Sequence, residues 1–229
     1  MKQKIIVIIP AYNEEASIAK VIQDLPPALV SEIVVVDNNS TDKTSENAKD
    51  AGATVLFQKL KGYGNACLMG IEYLKKMDTS PSIVVFIDGD YSDYPEQLSI
   101  VIKPIVEADY DMVIGSRSLG IKTRGSMTPQ QIFGNKLATT LMKWLYKTNY
   151  TDLGPFRAIK FNSLIALNME DKNYGWTVEM QLKAAKLKMK TCEVAVNYRN
   201  RIGISKVSGT VKGTIMAGYK IITTIFKYI

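Results

Sequence analysis

The sequence contains no histidine, and this absence excludes several kinds of chemistry. Zinc sites built on imidazole, Ser-His-Asp hydrolysis and acid–base catalysis by histidine all need that side chain. There are only two cysteines, Cys67 and Cys192, and they show neither metal-ligand spacing nor a CxxC pair. We therefore expect buried free thiols in a reducing compartment rather than a disulfide. Any catalysis has to use carboxylates, cations, hydroxyls or a hard metal ion.

Long apolar runs are also missing from the sequence. No segment reaches the roughly 20 apolar residues that span a membrane. The run at residues 5–9 is too short for a signal peptide, and Pro10 and Glu14 follow it closely. We expect a cytoplasmic protein, either free or at the inner face of the membrane.

The composition is that of a globular protein with a basic excess. Of 229 residues, 46% are hydrophobic and 22% charged, so a substantial core can form. The net charge of +7 suits an anionic partner such as a nucleotide or a phospholipid surface, although it also serves solubility. Because the basic residues are dispersed rather than interleaved with aromatics, we expect no nucleic-acid partner.

Strand-like and helix-like segments alternate through residue 116. This alternation is typical of βαβ units and predicts an α/β fold with a mostly parallel central sheet flanked by helices. The predicted strands are 4–9, 32–36, 54–57, 83–87 and 112–115. The predicted helices are 14–25, a helix that begins after Thr41 or Asp42 and ends at Ala51, and those at 66–76 and 95–107. After residue 116 the pattern predicts a long helix from Thr128-Pro129, helices at 161–169 and 177–188, a strand at 192–198 and a final amphipathic helix at 211–229.

The final helix carries an apolar face with lysines elsewhere. We consider three partners for this face: the membrane interface, the protein core, and a second copy of the chain. The residues that share the face are Val211, Ile215, Tyr219, Ile222, Phe226 and Ile229, and the lysines are Lys212, Lys220 and Lys227.

The stretch SIVVFIDGDYSD, at 82–93, places two carboxylates directly after a buried strand. Ligands bind at the carboxyl ends of strands in open α/β sheets. Mg²⁺ and Mn²⁺ prefer oxygen ligands and need only one or two protein carboxylates when phosphates supply the rest. Asp88 and Asp90 therefore predict a divalent-metal and nucleotide site, although paired acids also form turns and caps. Polar clusters at 10–14 and 37–42 end two earlier strands and should meet the carboxylates in space.

Seven motifs taken together resemble family 2 glycosyltransferases with a GT-A fold. The later motifs are similar to those of the branch that transfers a sugar to polyprenyl or dolichyl phosphate. The resemblance covers nearly the whole chain. The motifs are PAYNE at 10–14, VVDNNSTD at 35–42, GYGNA at 62–66, IDGD at 87–90, GSR at 115–117, GNK at 134–136 and DLGPFRA at 152–158.

The resemblance implies a metal-dependent inverting enzyme. It would move a hexose from a UDP- or GDP-linked sugar to a polyprenyl phosphate, with Mg²⁺ or Mn²⁺ as the divalent cation. Residues 1–229 would form one GT-A (Rossmann-like) domain, in which 1–117 bind the nucleotide sugar and 118–229 form a C-terminal acceptor-side half. The chain would touch the membrane through 211–229, or form a homodimer.

The resemblance also implies roles for individual residues. Asp88 would contact the ribose and Asp90 the metal and diphosphate, both as metal ligands. Asp90, Arg117 and Asp152 would be the catalytic set, with Arg117 on a phosphate and Asp152 on the acceptor side together with Arg157. The nucleotide-sugar site would consist of Pro10, Tyr12, Glu14, Asp37, Asn38, Gly64, Asp88 and Gly89. Two departures leave the base and sugar open: Asn38 replaces an acid found in many relatives, and Ser92 replaces a glutamine found in some mannosyltransferases.

The chemistry of the acceptor favours a phosphate. A phosphate is already anionic at neutral pH, whereas a hydroxyl acceptor needs a carboxylate base, for which Glu179 is a candidate. Arginine forks match phosphate oxygens well. Cations are frequent in the second half: Arg117, Arg124, Arg157, Arg199, Arg201 and Lys206. A hydroxyl acceptor, a nucleotidyltransferase and a non-catalytic nucleotide-sugar-binding subunit stay open as alternatives.

Overall fold

Seven strands form one sheet in the computed structural model, which describes residues 3–203 and 211–228. The strands are β1 (Ile5–Ala11), β2 (Glu32–Asp37), β3 (Thr54–Phe57), β4 (Ile83–Phe86), β5 (Met112–Ser116), β6 (Arg157–Lys160) and β7 (Thr191–Ala195). Their order is β3-β2-β1-β4-β6-β5-β7. Only β6 runs antiparallel to its neighbours among these strands. The predicted α/β class with a mostly parallel sheet is confirmed.

Eight helices pack around the sheet in the described part of the chain, and a short 3-10 turn at Pro95–Gln97 precedes the fourth. They are α1 (Ile18–Asp24), α2 (Thr44–Asp50), α3 (Tyr63–Lys75), α4 (Leu98–Ala108), α5 (Pro129–Tyr146), α6 (Phe161–Leu167), α7 (Trp176–Lys186) and α8 (Val211–Lys227). No helix of the described residues has the length and apolarity needed to cross a bilayer.

Two hydrophobic cores, one on each face of the sheet, explain the unbroken apolar strands. Ile6 and Ile8 of β1 belong to one core, whereas Val7 and Ile9 belong to the other. Side chains alternate between the faces of a strand, so a strand covered on both faces has to be apolar at every position. All seven residues of β1 are buried accordingly.

The structure differs from the predicted elements in two places that affect the site. The helix expected from residue 14 begins at Ile18, so Glu14 lies in the preceding loop and not in a first helical turn. Strand β6 was not predicted, because Arg157 and Lys160 at its ends interrupt the apolar pattern. It pairs antiparallel with both β4 and β5 and thereby joins the two halves of the sheet.

Helices α5 and α8 pack against each other on the C-terminal side. A capping box of Thr128 and Gln131 begins α5, and the Tyr146 hydroxyl near its end donates to the Ile225 carbonyl oxygen of α8 at 2.6 Å. The predicted helix at 211–229 is present as α8. Ile229 and the side chains of Val211 and Lys212 lie outside the described residues, as does Lys206.

The start of α3 lies directly against the loop that precedes α7. Gly64 is buried there, and a Cβ atom added to it would lie 2.0 Å from the carbonyl oxygen of Asp171. The Asn65 N–H donates to the Lys172 carbonyl oxygen at 3.0 Å. Only glycine allows the two backbones to approach this closely. The contact fixes the position of residues 171–174, which border the candidate site.

We expect Gly64→Ala to lower the free energy of unfolding by about 1–3 kcal/mol, because the new methyl group overlaps backbone that cannot yield cheaply. Urea unfolding followed by circular dichroism measures the change. Gly134→Ala in α5 is the matched control, since its Cβ would meet no atom within 4 Å. The control should be neutral or more stable by up to about 1 kcal/mol. Equal stability of the two variants would contradict the proposed close approach.

Candidate active site

Two adjoining cavities open at the carboxyl end of the sheet. The N-terminal cavity, of about 350 Å³, is lined mainly by residues from the end of β1 and from the loops after β1, β2, β3 and β4, among them Pro10, Tyr12, Glu14, Asn38, Lys61 and Gly89. The C-terminal cavity, of about 470 Å³, is lined by Arg117, Leu153, Trp176, Tyr198 and residues of α5 and α8. Both volumes are in the range of small-molecule sites.

The two cavities meet at a small group of shared residues. These are Tyr63, Asp88, Asp90, Asn173, Tyr174 and Arg201. A molecule in one cavity and a molecule in the other would therefore face each other across the carboxylates of Asp88 and Asp90. The predicted meeting of the strand-end loops with these carboxylates is confirmed by the lining of the N-terminal cavity.

Asp90 is held on both sides. Its Oδ1 accepts the backbone N–H of Ser92 at 2.9 Å and the Ser92 hydroxyl at 2.5 Å. Its Oδ2 lies 3.1 Å from Nη1 of Arg201. The carboxylate is thus fixed in orientation, with Oδ2 turned to a cationic group.

Asp88 has a different environment from Asp90. Its Oδ1 accepts the hydroxyl of Tyr63 at 3.0 Å. The carboxyl group of Asp88 borders both cavities but is otherwise surrounded by protein. This burial, together with the charge of Asp90, raises the pKa of Asp88 to about 7. Nearby cations oppose the shift only in part. Asp88 therefore changes its charge near neutral pH.

The loops of the N-terminal cavity are held by side-chain bonds. Asn38 donates to the Leu60 carbonyl oxygen at 2.7 Å and accepts the Gly62 N–H at 2.7 Å, so it fixes the loop before α3. Lys61 donates to the Tyr12 hydroxyl at 2.7 Å and lies over the ring of Tyr12. The cation and the aromatic ring form one wall of the cavity.

Two predicted nucleotide residues do not line either cavity. Asp37 is 4% exposed and accepts the Ser40 N–H at 2.9 Å and the Ser45 hydroxyl at 2.5 Å. It organises the loop after β2 rather than facing the space. Gly64 is covered by residues 171–172, as described above. Neither residue is among those that line the N-terminal cavity.

Asp152 supports Arg117 from beneath the C-terminal cavity. Its carboxylate is 0% exposed. It accepts Nη2 of Arg117 at 2.6 Å, Nε at 2.8 Å and the Arg117 backbone N–H at 2.7 Å. Burial lowers the pKa of Arg117, but the charge and hydrogen bonds of Asp152 more than offset this and raise it above its usual value. Asp152 therefore orients Arg117 and does not itself line the cavity, contrary to the expected acceptor contact.

Arg157 and Glu179 are structural in this arrangement. Arg157 is 0% exposed, and its guanidinium donates to the carbonyl oxygens of Leu153, Gly154 and Thr177. The expectation that it contacts an acceptor is not met, because these carbonyls surround it.

Glu179 is equally buried and bound to protein groups. It accepts the N–H groups of Glu170 and Asp171 at 3.0 and 2.7 Å, and pairs with Lys183 at 2.7 Å. It anchors the loop at 170–174 and lines neither cavity. The exposed Arg124 and the partly buried Arg199 do not line the cavities either.

Sequence reasoning missed several residues of the site. Tyr63, Asn173 and Tyr174 line both cavities, but Asn173 and Tyr174 follow no strand end and carry no motif. The sequence motifs also gave no role to Asp93. It is 1% exposed, and neither carboxylate oxygen has a hydrogen-bond partner in the described part of the chain. Burial, and then the charge of Asp88, raise its pKa well above the usual range.

The donor atoms at the meeting point fit a hard divalent cation. Carboxylate oxygens of Asp88 and Asp90 face the shared space, and none of the six residues that both cavities share carries a sulfur ligand. No cluster of three or more His, Cys, Asp or Glu residues forms a complete cage in residues 3–203 and 211–228. This is the arrangement expected when a substrate phosphate supplies the remaining ligands.

Comparison with known proteins assigns the family. The family model described as glycosyl transferase family 2 matches residues 6–167, more than half of the chain. The chain therefore belongs to glycosyl transferase family 2, as its motifs predict, and is a glycosyltransferase.

Relatives and solved structures agree with this assignment. The chain is 31% identical over 216 residues to a glycosyltransferase of Mycobacterium tuberculosis, covering 92% of this chain and 93% of the relative. It is also 31% identical over 224 residues to an undecaprenyl-phosphate mannosyltransferase of Micrococcus luteus, covering 92% and 90%. Glucosyl-3-phosphoglycerate synthase of M. tuberculosis superposes with a TM-score of 0.78 at 23% identity, covering 99% of this chain and 80% of that one. The likeness confirms the GT-A fold.

The raised pKa of Asp88 predicts a pH-dependent stability. The charged form is disfavoured in the fold, so the penalty is absent below the unfolded pKa of 3.8 and grows as the pH rises towards about 7. We expect Asp88→Asn, measured with chelator present, to melt at a higher temperature than the unmodified protein at pH 8. The difference should shrink steadily as the pH is lowered to 4. A difference that is constant over this range would contradict the shift.

Proposed function

We propose that this chain is a metal-dependent inverting glycosyltransferase that moves a hexose from a nucleotide-diphosphate sugar to a polyprenyl phosphate. One observation carries the proposal. The N-terminal cavity meets the C-terminal cavity, which contains Arg117 and an apolar wall of Leu153, Trp176 and Ile221, at the carboxylates of Asp88 and Asp90. In this reading 1–229 form one domain, with the donor in the 1–117 half and the acceptor in the 118–229 half.

The donor nucleotide would occupy the N-terminal cavity. Pro10, Tyr12, Glu14, Asn38 and Gly89 line it. Asp88 and Asp90 would hold Mg²⁺ or Mn²⁺, and the bound cation would offset the charge that develops on the leaving diphosphate. In support, the structurally similar glucosyl-3-phosphoglycerate synthase was solved with Mn²⁺ and uridine diphosphate. Uracil and guanine are the two candidate bases, so the activity is measured with UDP- and GDP-linked sugars.

The acceptor phosphate would be bound by Arg117. Asp152 fixes the plane of its guanidinium through the Nε and Nη2 atoms, and Arg117 lines the C-terminal cavity. An anionic phosphate oxygen can attack the anomeric carbon without a strong general base, and attack from the face opposite the leaving group inverts the configuration. Leu153, Trp176 and Ile221 would receive the first prenyl units. The relative named undecaprenyl-phosphate mannosyltransferase supports this acceptor class.

A small phosphorylated hydroxyl compound is the second candidate acceptor. Glucosyl-3-phosphoglycerate synthase, which shares the fold, was solved with phosphoglyceric acid. Arg117 would bind the phosphate of such a compound as readily as that of a lipid. The apolar wall of the C-terminal cavity favours the lipid, because a small polar acceptor gains little from it.

The surface beside the cavity supports contact with an anionic membrane. Exposed apolar side chains run along α5 and α8 and form what we call the apolar stripe: Ile132, Phe133, Leu137 and Trp144 on α5, and Ile215, Met216, Tyr219 and Phe226 on α8. Exposed Lys136, Lys143 and Lys147 accompany it on or just after α5. Aromatic side chains flanked by lysines suit the interface of a bilayer with anionic lipids. A homodimer through the same stripe is the competing occupant.

The activity test is a panel of UDP- and GDP-linked hexoses with Mn²⁺ or Mg²⁺, a short polyprenyl phosphate and phosphoglyceric acid, with products identified by mass. We expect a sugar–phosphate–polyprenyl product that depends on the divalent cation. Asp90→Asn should lower the rate by roughly 100-fold or more, because a charge that stabilises the leaving group is lost. Its melting temperature serves as the folding control.

Three results would contradict the proposal. Full activity with chelator present would exclude a metal-dependent reaction. Product formed only from phosphoglyceric acid would favour the second candidate acceptor. Binding of a nucleotide sugar without any turnover would instead indicate a non-catalytic subunit.

If the apolar stripe contacts a membrane, the double variant Phe133→Ser, Trp144→Ser should bind vesicles containing phosphatidylglycerol roughly tenfold more weakly than the unmodified protein. The reason is that two aromatic side chains are no longer available to be buried in the bilayer interface. Phe57→Ser is the matched control, since Phe57 is 56% exposed on β3 away from the stripe. Binding to the anionic vesicles should also weaken at high salt. If the double variant binds like the control, the stripe does not touch lipid. A concentration-dependent mass in solution would then assign it to a dimer.

A further inference from the structure

Arg201 forms an ion-pair bridge between two loops that are distant in sequence. Its Nη2 lies 2.8 Å from Oε1 of Glu14, and its Nη1 lies 3.1 Å from Oδ2 of Asp90. The guanidinium therefore joins the loop after β1 to the turn after β4, at the point where the two cavities meet. Its Nε is buried and has no hydrogen-bond partner in the described part of the chain.

Asp90 has one oxygen to offer a metal, and Arg201 already contacts it. Oδ1 is occupied by the N–H and the hydroxyl of Ser92. Oδ2 is the oxygen paired with Arg201. A divalent cation bound to Oδ2 would sit close to the guanidinium, and like charges at that distance repel strongly in a partly buried site. The cation and the guanidinium therefore compete for the same oxygen.

The backbone near Arg201 is fixed, so the exchange has to occur by a movement of the side chain. The Ile202 N–H donates to the Asp90 carbonyl oxygen at 3.0 Å, and the Arg199 N–H donates to the Ser92 carbonyl oxygen at 2.9 Å. Arg199 cannot replace Arg201, because its guanidinium lies over the ring of Tyr91 at 3.4 Å. Arg201 lines both cavities, so its side chain can leave Asp90 and still face a bound molecule.

We propose that Arg201 is an exchangeable counter-ion, which the divalent cation displaces from Asp90 and which thereby couples cation binding to diphosphate binding. The inference rests on the proposed function, since it takes Asp90 as a metal ligand. A displaced guanidinium loses its carboxylate partners, and this loss opposes binding of the cation alone. An anionic diphosphate in the cavity supplies new partners and removes the penalty. Coupling of this kind is reciprocal between the two ligands.

The test measures Mn²⁺ binding without nucleotide, from the electron paramagnetic resonance signal of free Mn²⁺. Arg201→Gln removes the competing charge, so we expect it to bind Mn²⁺ roughly tenfold more tightly than the unmodified protein. Arg201→Lys keeps a charge but lacks the two-pronged guanidinium that bridges both carboxylates. Its Mn²⁺ affinity should lie between those of Arg201→Gln and the unmodified protein. Arg124→Gln is the matched control, because Arg124 is exposed and lines neither cavity. The control should change Mn²⁺ affinity by less than roughly twofold.

A second measurement repeats the titration with saturating uridine diphosphate. Nucleotide and Mn²⁺ also associate in solution, so the informative quantity is the ratio of affinities between variant and unmodified protein at the same concentrations. We expect the tenfold advantage of Arg201→Gln to shrink or reverse, because the guanidinium now has a diphosphate to bind.

The outcomes separate this inference from the proposed function. In one outcome the unmodified protein binds Mn²⁺ and nucleotide and transfers sugar, but Arg201→Gln and Arg201→Lys bind Mn²⁺ no more tightly than it does. The counter-ion role of Arg201 is then wrong, and the proposed function stands. If the unmodified protein and both variants bind neither Mn²⁺ nor nucleotide, both proposals fail. Circular dichroism and melting curves check folding, and Arg201→Lys keeps the comparison valid if Arg201→Gln does not fold.

Discussion

The site depends on the pairing of carboxylates from the first half of the chain with guanidinium groups from the second. Glu14, Asp88 and Asp90 gather at the carboxyl ends of β1 and β4, where their charges repel one another. Arg201 bridges two of these carboxylates, and Arg117, held by its own partner Asp152, offsets a small part of the rise in the pKa of Asp88. These cations offset part of the repulsion between the neighbouring carboxylates. The ion pairs therefore hold the two halves together where the cavities meet.

A second constraint is the close packing of the loop at 170–174 against α3. Asp171 accepts the N–H groups of Asn173 and Gly175, and its other oxygen pairs with Lys220 of α8 at 3.0 Å. Tyr228, at the end of the same helix, donates to Glu179 at 2.7 Å. Helix α8 is thus bonded to the loop that carries Asn173 and Tyr174 into both cavities. A shift of α8 has to be transmitted to the wall of the N-terminal cavity, because the connecting bonds are short and buried at Asp171 and Glu179.

Much of this arrangement follows from local sequence signals, and the rest does not. Strand-end motifs predicted which loops meet, because parallel strands bring their carboxyl ends to one edge of the sheet. The same motifs predicted that Asp37 and Gly64 contact a nucleotide, whereas neither lines a cavity: Asp37 bonds to Ser40 and Ser45, and Gly64 packs against the backbone at Asp171. The pairing of Glu14 with Arg201 joins residues 187 positions apart, and no periodicity encodes such a contact. Strand β6 escaped prediction because its Arg157 is buried by bonds to carbonyl oxygens, which a hydropathy pattern cannot show.

If the acceptor carries a phosphate, as proposed, the choice between a lipid and a small metabolite has to be made away from that phosphate. Arg117 would hold a phosphate whichever molecule carries it, so the residues around the reacting atoms cannot distinguish a lipid from a small metabolite. Discrimination must come from the far wall of the C-terminal cavity, where α5 and α8 contribute Gly134 and Gly218. A Cβ at either glycine would meet no atom within 4 Å, so both lie beside open space. The apolar stripe runs along the same two helices. An acceptor that extends from Arg117 past these glycines would therefore pass from the cavity to the exposed apolar surface, a path that suits a prenyl chain and offers nothing to a small polar molecule.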